Sequence, residues 1–349
     1  MSLPQPAAWA GIDTAKATFD ASIAHPSQAL VFDLALLHVM PVRTFARTRD
    51  GVKEFVVWAR KQTQEVGTGL RVVMEATGNY SIELAAWITE LDSAILPAIA
   101  NPKRTANYIK SLGLRNKTDK LEARALALYG LQRSPAPYEP LTTERAELRS
   151  LLRYRDALVD ERVAERQRAE ETRACKAVSA MQERRLEQLD RDIKSIEKNM
   201  RALLTKTPIL KRDYELLTSI YGVAFVTASV ILAEIGDLRR FARARQLSAF
   251  AGLCPRLVHS GTSQRGSHLS KDGNRRVREA LYMAVSTALR GDNQIAQFHR
   301  ALVLKGKRPM AAHAAAMRKL LTIMRAILIT ETAYYSQQGI GGKLCGKRP

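Results

Sequence analysis

Apolar and polar positions alternate through residues 8–14 and again through 17–24, the period of two that one-sided strands carry, with Thr14–Lys16 between them as a turn. Val42–Phe45 reads as a short third strand, and Asp50-Gly51 opens an amphipathic helix through Phe55, Val56 and Trp58. A further strand, Leu70–Met74, closes on Glu75. It is followed by Thr77-Gly78-Asn79, a helix across Leu84–Leu91, a short strand Ala94–Ala98, and helical segments after Pro102 and Thr118. Strands first, then strands alternating with helices, predict an α/β domain with a mixed sheet flanked by helices. The apolar stretch around Leu30–Met40 has no clear period, and no element is assigned to it.

Pro135, Pro137 and Pro140 interrupt the pattern and mark a boundary. From Thr142 to Thr205 there is neither Gly nor Pro, and Leu186, Leu189, Ile193, Ile196, Met200 and Leu203 recur at steps of three and four, the seam of a coiled coil. A single helix of that length would run about 90 Å. It cannot bury its seam alone, so it returns as a helical hairpin or pairs with another subunit. Past Pro208, Leu217–Ala224 leads into the apolar segment Val226–Ile235, which resembles a helix-hairpin-helix with Gly222 in its turn. Ala224 stands where that motif usually has a second glycine, so a plain helix-turn-helix fits nearly as well. A polar stretch, His259–His268, precedes helices at Asn274–Leu289 and Ala311–Tyr335. The expected division is therefore 1–140 α/β domain, 141–205 coiled coil, and 206–349 a basic, mainly α-helical domain.

Composition narrows the function. No apolar run reaches the roughly 18–20 residues of a membrane span, and Met1–Gln5 lacks a basic flank, so a cytoplasmic protein with no membrane partner is expected. Three cysteines, Cys175, Cys254 and Cys345, stand far apart without zinc-ligand spacing, which argues against disulfide, zinc and redox roles. The net charge of +21 is uneven: +16 falls in residues 206–349, against +3 in 1–140 and +2 in 141–205. A polyanion, nucleic acid above all, is the expected partner of the C-terminal part, although a merely soluble basic protein would look the same by charge.

Four acidic residues carry the candidate chemistry. Asp13 ends the first strand, Glu75 closes a later one, and Asp119 and Glu122 lie three apart on one helix face. Four hard oxygen donors suit one or two Mg²⁺ or Mn²⁺ ions, and paired ions suit phosphodiester chemistry. Each residue also has a plain reading: Asp13 as a turn cap, Glu75 as a polar strand end, Asp119 as a first-turn carboxylate facing the helix dipole.

Gly11-Ile12-Asp13-Thr14-Ala15-Lys16, Met74-Glu75-Ala76-Thr77-Gly78-Asn79-Tyr80 and Asn116–Ala123 resemble the three acidic motifs of the Piv-type insertion-sequence transposases, also called bridge-RNA-guided recombinases. Ser260-Gly261, with Leu269–Asn274 and Arg278, is similar to their C-terminal motif, and the likeness covers nearly the whole chain in order. The resemblance implies a RuvC-like, ribonuclease-H-type domain with an Asp-Glu-Asp-Asp metal set, a coiled coil, and a C-terminal domain supplying a serine nucleophile. It also implies oligomers, commonly tetramers, in which the serine of one subunit completes the acidic site of another, and a structured non-coding guide RNA that pairs with donor and target DNA. Glu122 departs from the pattern, which has Asp there; the added methylene moves the carboxylate by about 1.5 Å, enough to turn direct ligation into a water-mediated contact.

Taken alone, Ser260-Gly261 in a polar, Gly-containing loop is more often a turn than a nucleophile, since a lone hydroxyl needs a base or a metal to activate it. With the family pattern, Ser260 becomes the candidate, with Ser263, Ser267 and Ser270 as neighbouring alternatives. Lys271, Asn274, Arg275, Arg276 and Arg278, with Arg265 and Gly222, are candidate phosphate contacts near the serine, and Lys16, Arg115, Lys117 and Lys120 near the acidic set. Many of these cations must also be ordinary solvated surface. The reading is a metal-dependent DNA recombinase. Its rivals are a RuvC-like nuclease or junction resolvase in which metal-bound water attacks, and a non-enzymatic basic coiled-coil protein that organises nucleic acid.

Overall fold

The computed structural model describes residues 8–26, 34–63, 69–114, 118–171, 175–260 and 263–334, with 34–36, 256–260 and 263–268 described in backbone only. The chain divides into two compact units, Met1–Pro140 and Leu141–Pro349.

The first unit is built on a five-stranded mixed sheet. β1 (Ala8–Thr14) pairs antiparallel with β2 (Thr18–Ala24), which pairs antiparallel with β3 (Val42–Ala46). On its other side β1 runs parallel to β4 (Leu70–Glu75), and β4 parallel to β5 (Leu96–Ala100), giving the order β3-β2-β1-β4-β5. α1 (Leu34–Val39), α2 (Arg49–Thr63), α3 (Asn79–Leu91), α4 (Pro102–Ser111) and α5 (Asp119–Arg133) complete the unit. Alternation on the strands sorts two cores. Ala8, Ala10 and Ile12 of β1 join Val72, Met74, Phe55 and Leu84 on the α2/α3 side, whereas Trp9 and Val73 join Tyr108, Leu126 and Tyr129 on the α4/α5 side. The mixed sheet with flanking helices matches the expectation. β5 lies two residues later than Ala94–Ala98, and α1 falls in the stretch left unassigned, where only six residues turn and no helical stripe can develop.

In the second unit the predicted stalk is two helices, α6 (Thr143–Glu171) and α7 (Lys176–Lys206), packed on each other. Leu158 meets Leu189 and Ile193, and Arg155–Glu197 (2.7 Å) and Arg162–Asp190 (2.8 Å) cross between them. Of the seam residues, Leu189, Ile193 and Met200 are buried, and Leu204 rather than Leu203 continues the row. At its base the hairpin merges with the main core, because Leu148, Leu152, Met200 and Leu204 pack with Leu217, Ile231, Leu281 and Leu320. That core is otherwise made by α8 (Pro208–Thr218), α9 (Phe225–Val230) continued by a π-helical turn (Ile231–Ile235), α10 (Ala244–Phe250), α11 (Arg275–Ala288), α12 (Gln294–Leu304) and α13 (Pro309–Thr330). The polar stretch read as a loop is instead a two-stranded hairpin, β6 (Pro255–Ser260) and β7 (Ser263–Leu269), in which Ser260 pairs with Ser263. Its strands contain Ser, Gln, Arg, Gly and His, residues without the apolar alternation that would betray a strand.

Candidate metal centre and serine hairpin

The acidic residues are gathered by a close approach of helix to strand. A Cβ on Gly11 would lie 2.0 Å from the Ala127 nitrogen and 2.3 Å from the Ala123 oxygen, and one on Gly130 would lie 2.6 Å from the Trp9 ring. α5 therefore runs antiparallel along β1 with backbone against backbone at Gly11. Asp13 is two residues beyond Gly11 on the same face, and the first turn of α5, with Asp119 and Glu122, reaches that end of the strand. Thr118 starts the helix there by accepting from the Leu121 N–H (3.3 Å). Glu75 follows Met74, the parallel partner of Ile12, so the strand pair ends in two carboxylates on the α4/α5 side. The Thr105 hydroxyl on α4 donates to Glu75 Oε2 at 2.7 Å and fixes its orientation.

The electrostatics follow from that crowding. Burial, then the charges of Glu122 and Asp119, and least of all that of Asp20, push the Asp13 carboxyl up to about 6, against a lowering by the backbone bond at Thr14. Asp20 joins this group without any motif in the sequence to mark it. It is the register partner of Asp13 across the β1–β2 ladder and accepts a short hydrogen bond from Thr44 of β3, so the row Thr44, Asp20, Asp13 and Glu75 crosses the sheet at one level. A lone Asp in a half-buried strand carries no sequence signal beyond its distance from the turn. Among the described residues no three His, Cys, Asp or Glu side chains are drawn close enough to hold an ion as they stand. The donors nonetheless fit a hard divalent cation, since all are carboxylate oxygens and their repulsion is what such a cation relieves.

Both acidic strand ends are tied by a residue that the sequence did not single out. Arg47 Nε donates to the Lys16 carbonyl (2.8 Å), its Nη1 pairs with Glu83 (2.8 Å), and its guanidinium lies 4.1 Å from the Tyr80 ring centroid. It links the turn after Asp13 to the helix that follows Glu75. Lys16 and Lys120 are exposed, and Arg115 and Lys117 lie outside the described residues.

In the second unit the candidate cations have different surroundings. Ser260 ends β6, and the side chains of Ser260 and Arg265 are outside the described set. The hairpin's base is clamped. Ser270 N–H donates to the Cys254 carbonyl (2.9 Å) and Asn274 N–H to that of Phe250 (2.9 Å), and a Cβ on Gly273 would lie 2.2 Å from the Gly252 nitrogen. Arg278 Nη1 donates to the carbonyls of Gly273 (2.7 Å) and Ala251 (3.2 Å), and Arg276 pairs with Asp156. Asn274 caps α11 by accepting from Val277 N–H (3.2 Å) and donates to Glu234 Oε2 (2.9 Å). Asn274 and Arg278 thus hold the hairpin base and Arg276 ties α11 to α6, whereas Lys271 and Arg275 are exposed, Arg275 with Glu279 at 2.6 Å. Gly222, with φ 91°, lies where a Cβ would be 2.5 Å from the Ala284 carbonyl oxygen; its missing side chain serves packing on α11.

A carboxylate-ended mixed sheet and a basic helical unit suit a protein that acts on a polyanion such as DNA, and comparison with known proteins gives the family. Residues 10–172 match the DEDD-type transposase model of the IS110 family, and residues 214–300 the model described as Transposase IS116/IS110/IS902 family. The chain is 32% identical to the pilin gene-inverting protein of Moraxella bovis over 91% of this chain and 94% of that protein, and equally to that of Moraxella lacunata. It is 30% identical to the transposase for insertion sequence element IS1111A of Coxiella burnetii, over 63% of this chain and 66% of that one. The chain belongs to the IS110/IS116/IS902 family of transposases, and its activity is that of a DNA recombinase of insertion elements. The DEDD designation points to divalent metal use. No helix among the described residues is long and apolar enough to cross a membrane.

Proposed function

We propose that this transposase cuts and rejoins DNA through a phosphoserine link formed by Ser260, assisted by Mg²⁺ or Mn²⁺ held by Asp13, Glu75, Asp119 and Glu122. The supporting observation is the gathering of Asp119 and Glu122 against Asp13, with Glu75 beside it, by the packing of α5 on Gly11. When bound, the metal would polarise the scissile phosphate and lower the cost of its extra negative charge. Ser260 Oγ attacks phosphorus, its proton passes to a carboxylate of the set, and the deoxyribose oxygen leaves with a proton from solvent. In the second half a new deoxyribose hydroxyl attacks the phosphoserine and releases the serine, so the phosphodiester energy is conserved without ATP. As the family resemblance implies, the serine of one subunit serves the acidic set of another in an oligomer, commonly a tetramer. A structured guide RNA pairs with donor and target DNA, while the protein supplies charge to their backbones.

Ser260→Ala removes only the hydroxyl. RNA and DNA binding are expected to survive, and the denaturation-resistant protein–DNA adduct to vanish along with strand joining. Mass spectrometry of the proteolysed wild-type adduct identifies the residue. A DNA-linked peptide carrying Ser263, Ser267 or Ser270 would move the nucleophile, and cleavage by Ser260→Ala at the native rate with hydrolysed ends would make the protein a metal-dependent nuclease.

A further inference from the structure

Between Asn293 and Thr330 the chain has no Asp or Glu, yet it carries seven Lys and Arg residues. Two are engaged with other groups of the chain: Arg300, at the surface, donates through Nη2 to the Gly291 carbonyl (3.1 Å) and pairs through Nη1 with Asp292 (3.4 Å), and the half-buried Arg325 donates to the carbonyls of Phe241 (2.9 Å) and Ala242 (3.2 Å). The other five, Lys305, Lys307, Arg308, Arg318 and Lys319, have no side-chain hydrogen bond or ion pair among the described residues, and every residue from Leu304 to Met310 is exposed. The contrast with the α6–α7 hairpin is sharp, since cations there face carboxylates across the pair. Arg308 caps α13 without a side-chain bond to it, so the positive end of that 22-residue helix adds to the same corner.

We propose that the α12–α13 corner is a contact surface for the phosphate backbone of duplex DNA. Arg308 and Arg318 are ten residues apart on α13, about 15 Å along its axis at 1.5 Å per residue. A duplex carries one charge per roughly 1.7 Å of axis with both strands counted, so about nine phosphate charges lie along that length and those on the near side can meet the cations. An open row of cations suits an extended polyanion better than a small anion, which needs convergent donors. From Leu304 to Lys319 there is no Phe, Tyr or Trp, so the stacking platform used by single strands is missing. The choice of DNA rests on the strand-exchange reading above.

The test is equilibrium binding of a short duplex DNA, and of a structured RNA of equal charge, to the full-length protein across a salt series. The triple variant Lys305→Ala, Lys307→Ala, Arg308→Ala is expected to lower the magnitude of the slope of log K against log salt by about 2 to 3 for DNA, with an affinity loss on the order of tenfold or more. Arg318→Gln with Lys319→Gln, on the helix surface, is expected to lower it by about 1 to 2 and serves if the triple variant folds poorly. RNA binding is expected to change less. An unchanged DNA slope in both variants, or a loss confined to RNA, overturns the proposal. A wild-type protein that forms no adduct would instead count against the serine mechanism and leave the slope comparison intact.

Discussion

Gly11 on β1 and Ala127 on α5 touch through their backbones, so closely that a methyl group at position 11 would stand 2.0 Å from the Ala127 nitrogen. That contact sets how near the first turn of α5 comes to Asp13. Gly11→Ala must push the helix away from the strand, and overpacking of this kind costs about 1–3 kcal/mol. The expected outcome is a folded protein with a lower Tm and DNA strand exchange reduced by orders of magnitude. Activity near the wild-type level would show that the separation of Asp13 from Asp119 and Glu122 is not what the helix contact controls.

Asp13 gives a pH dependence with a definite sign. Its carboxyl is raised from 3.8 to about 6 in the metal-free protein, by burial first and by Glu122 and Asp119 next. Between roughly pH 4 and 6 the folded state therefore holds a proton that the unfolded state has lost, and this contribution favours the fold at low pH and is lost as pH rises through 6. Binding of Mg²⁺ is expected to expel that proton near pH 6. Calorimetry in buffers of different ionisation enthalpy checks this: the wild type releases protons on Mg²⁺ addition, and Asp13→Asn does not. Equal release by both would place the titrating group elsewhere.

Arg47 predicts a separable effect. Its bonds to the Lys16 carbonyl and Glu83 and its place over Tyr80 hold the turns beyond Asp13 and Glu75 together. Arg47→Met should destabilise the fold by about 1–3 kcal/mol, the range for losing hydrogen bonds to a charged group. It should also raise the Mg²⁺ concentration needed for half-maximal cleavage, with partial recovery at high Mg²⁺. Glu83→Gln should do the same more weakly. A loss of activity that Mg²⁺ does not relieve would assign Arg47 to DNA contact.

The sheet and its flanking helices were legible because each rests on local pattern, strand period and Gly and Pro breaks, and so was the approach of Asp119 and Glu122 to Asp13, because these acids stand on one helix turn and at a strand end. Asp20 was not, since its importance lies in a cross-strand register that no sequence spacing reveals. Nor was Arg47, whose three partners, Lys16, Tyr80 and Glu83, are 31 to 36 residues away in the chain at the extremes. The serine hairpin was read as a loop because its polar strands lack alternation. The basic motif around Asn274 was read as phosphate-binding, whereas the amide of Asn274 serves Glu234 and the start of α11. Charge in a sequence does not tell an exposed cation from one bound to a carbonyl, as Arg278 is.

Glu234 is the buried carboxylate of the second unit whose pKa moves opposite to that of Asp13. It is 5% exposed in the π-helical turn and accepts from Arg153 Nε (3.1 Å), Arg153 Nη2 (3.4 Å) and Asn274 Nδ2 (2.9 Å). Burial pushes its pKa up, but the bonds from Arg153 and Asn274 outweigh burial and hold it below the ordinary 4.5. Its contribution is therefore present above about pH 4.5 and is lost as pH falls through the folded value, the opposite sign to Asp13. Hydrogen exchange followed peptide by peptide should show protection of β1 and α5 rising between pH 6 and 4.5, and protection of α9 and α11 falling only below that. Glu234→Gln turns an amide N–H₂ toward a donor and is expected to cost about 1–3 kcal/mol. It should weaken adduct formation by the hairpin that Asn274 anchors, while leaving the Mg²⁺-linked proton release of the first unit unchanged. A Glu234→Gln protein with normal adduct yield would reduce the clamp to a stabilising contact without influence on the serine.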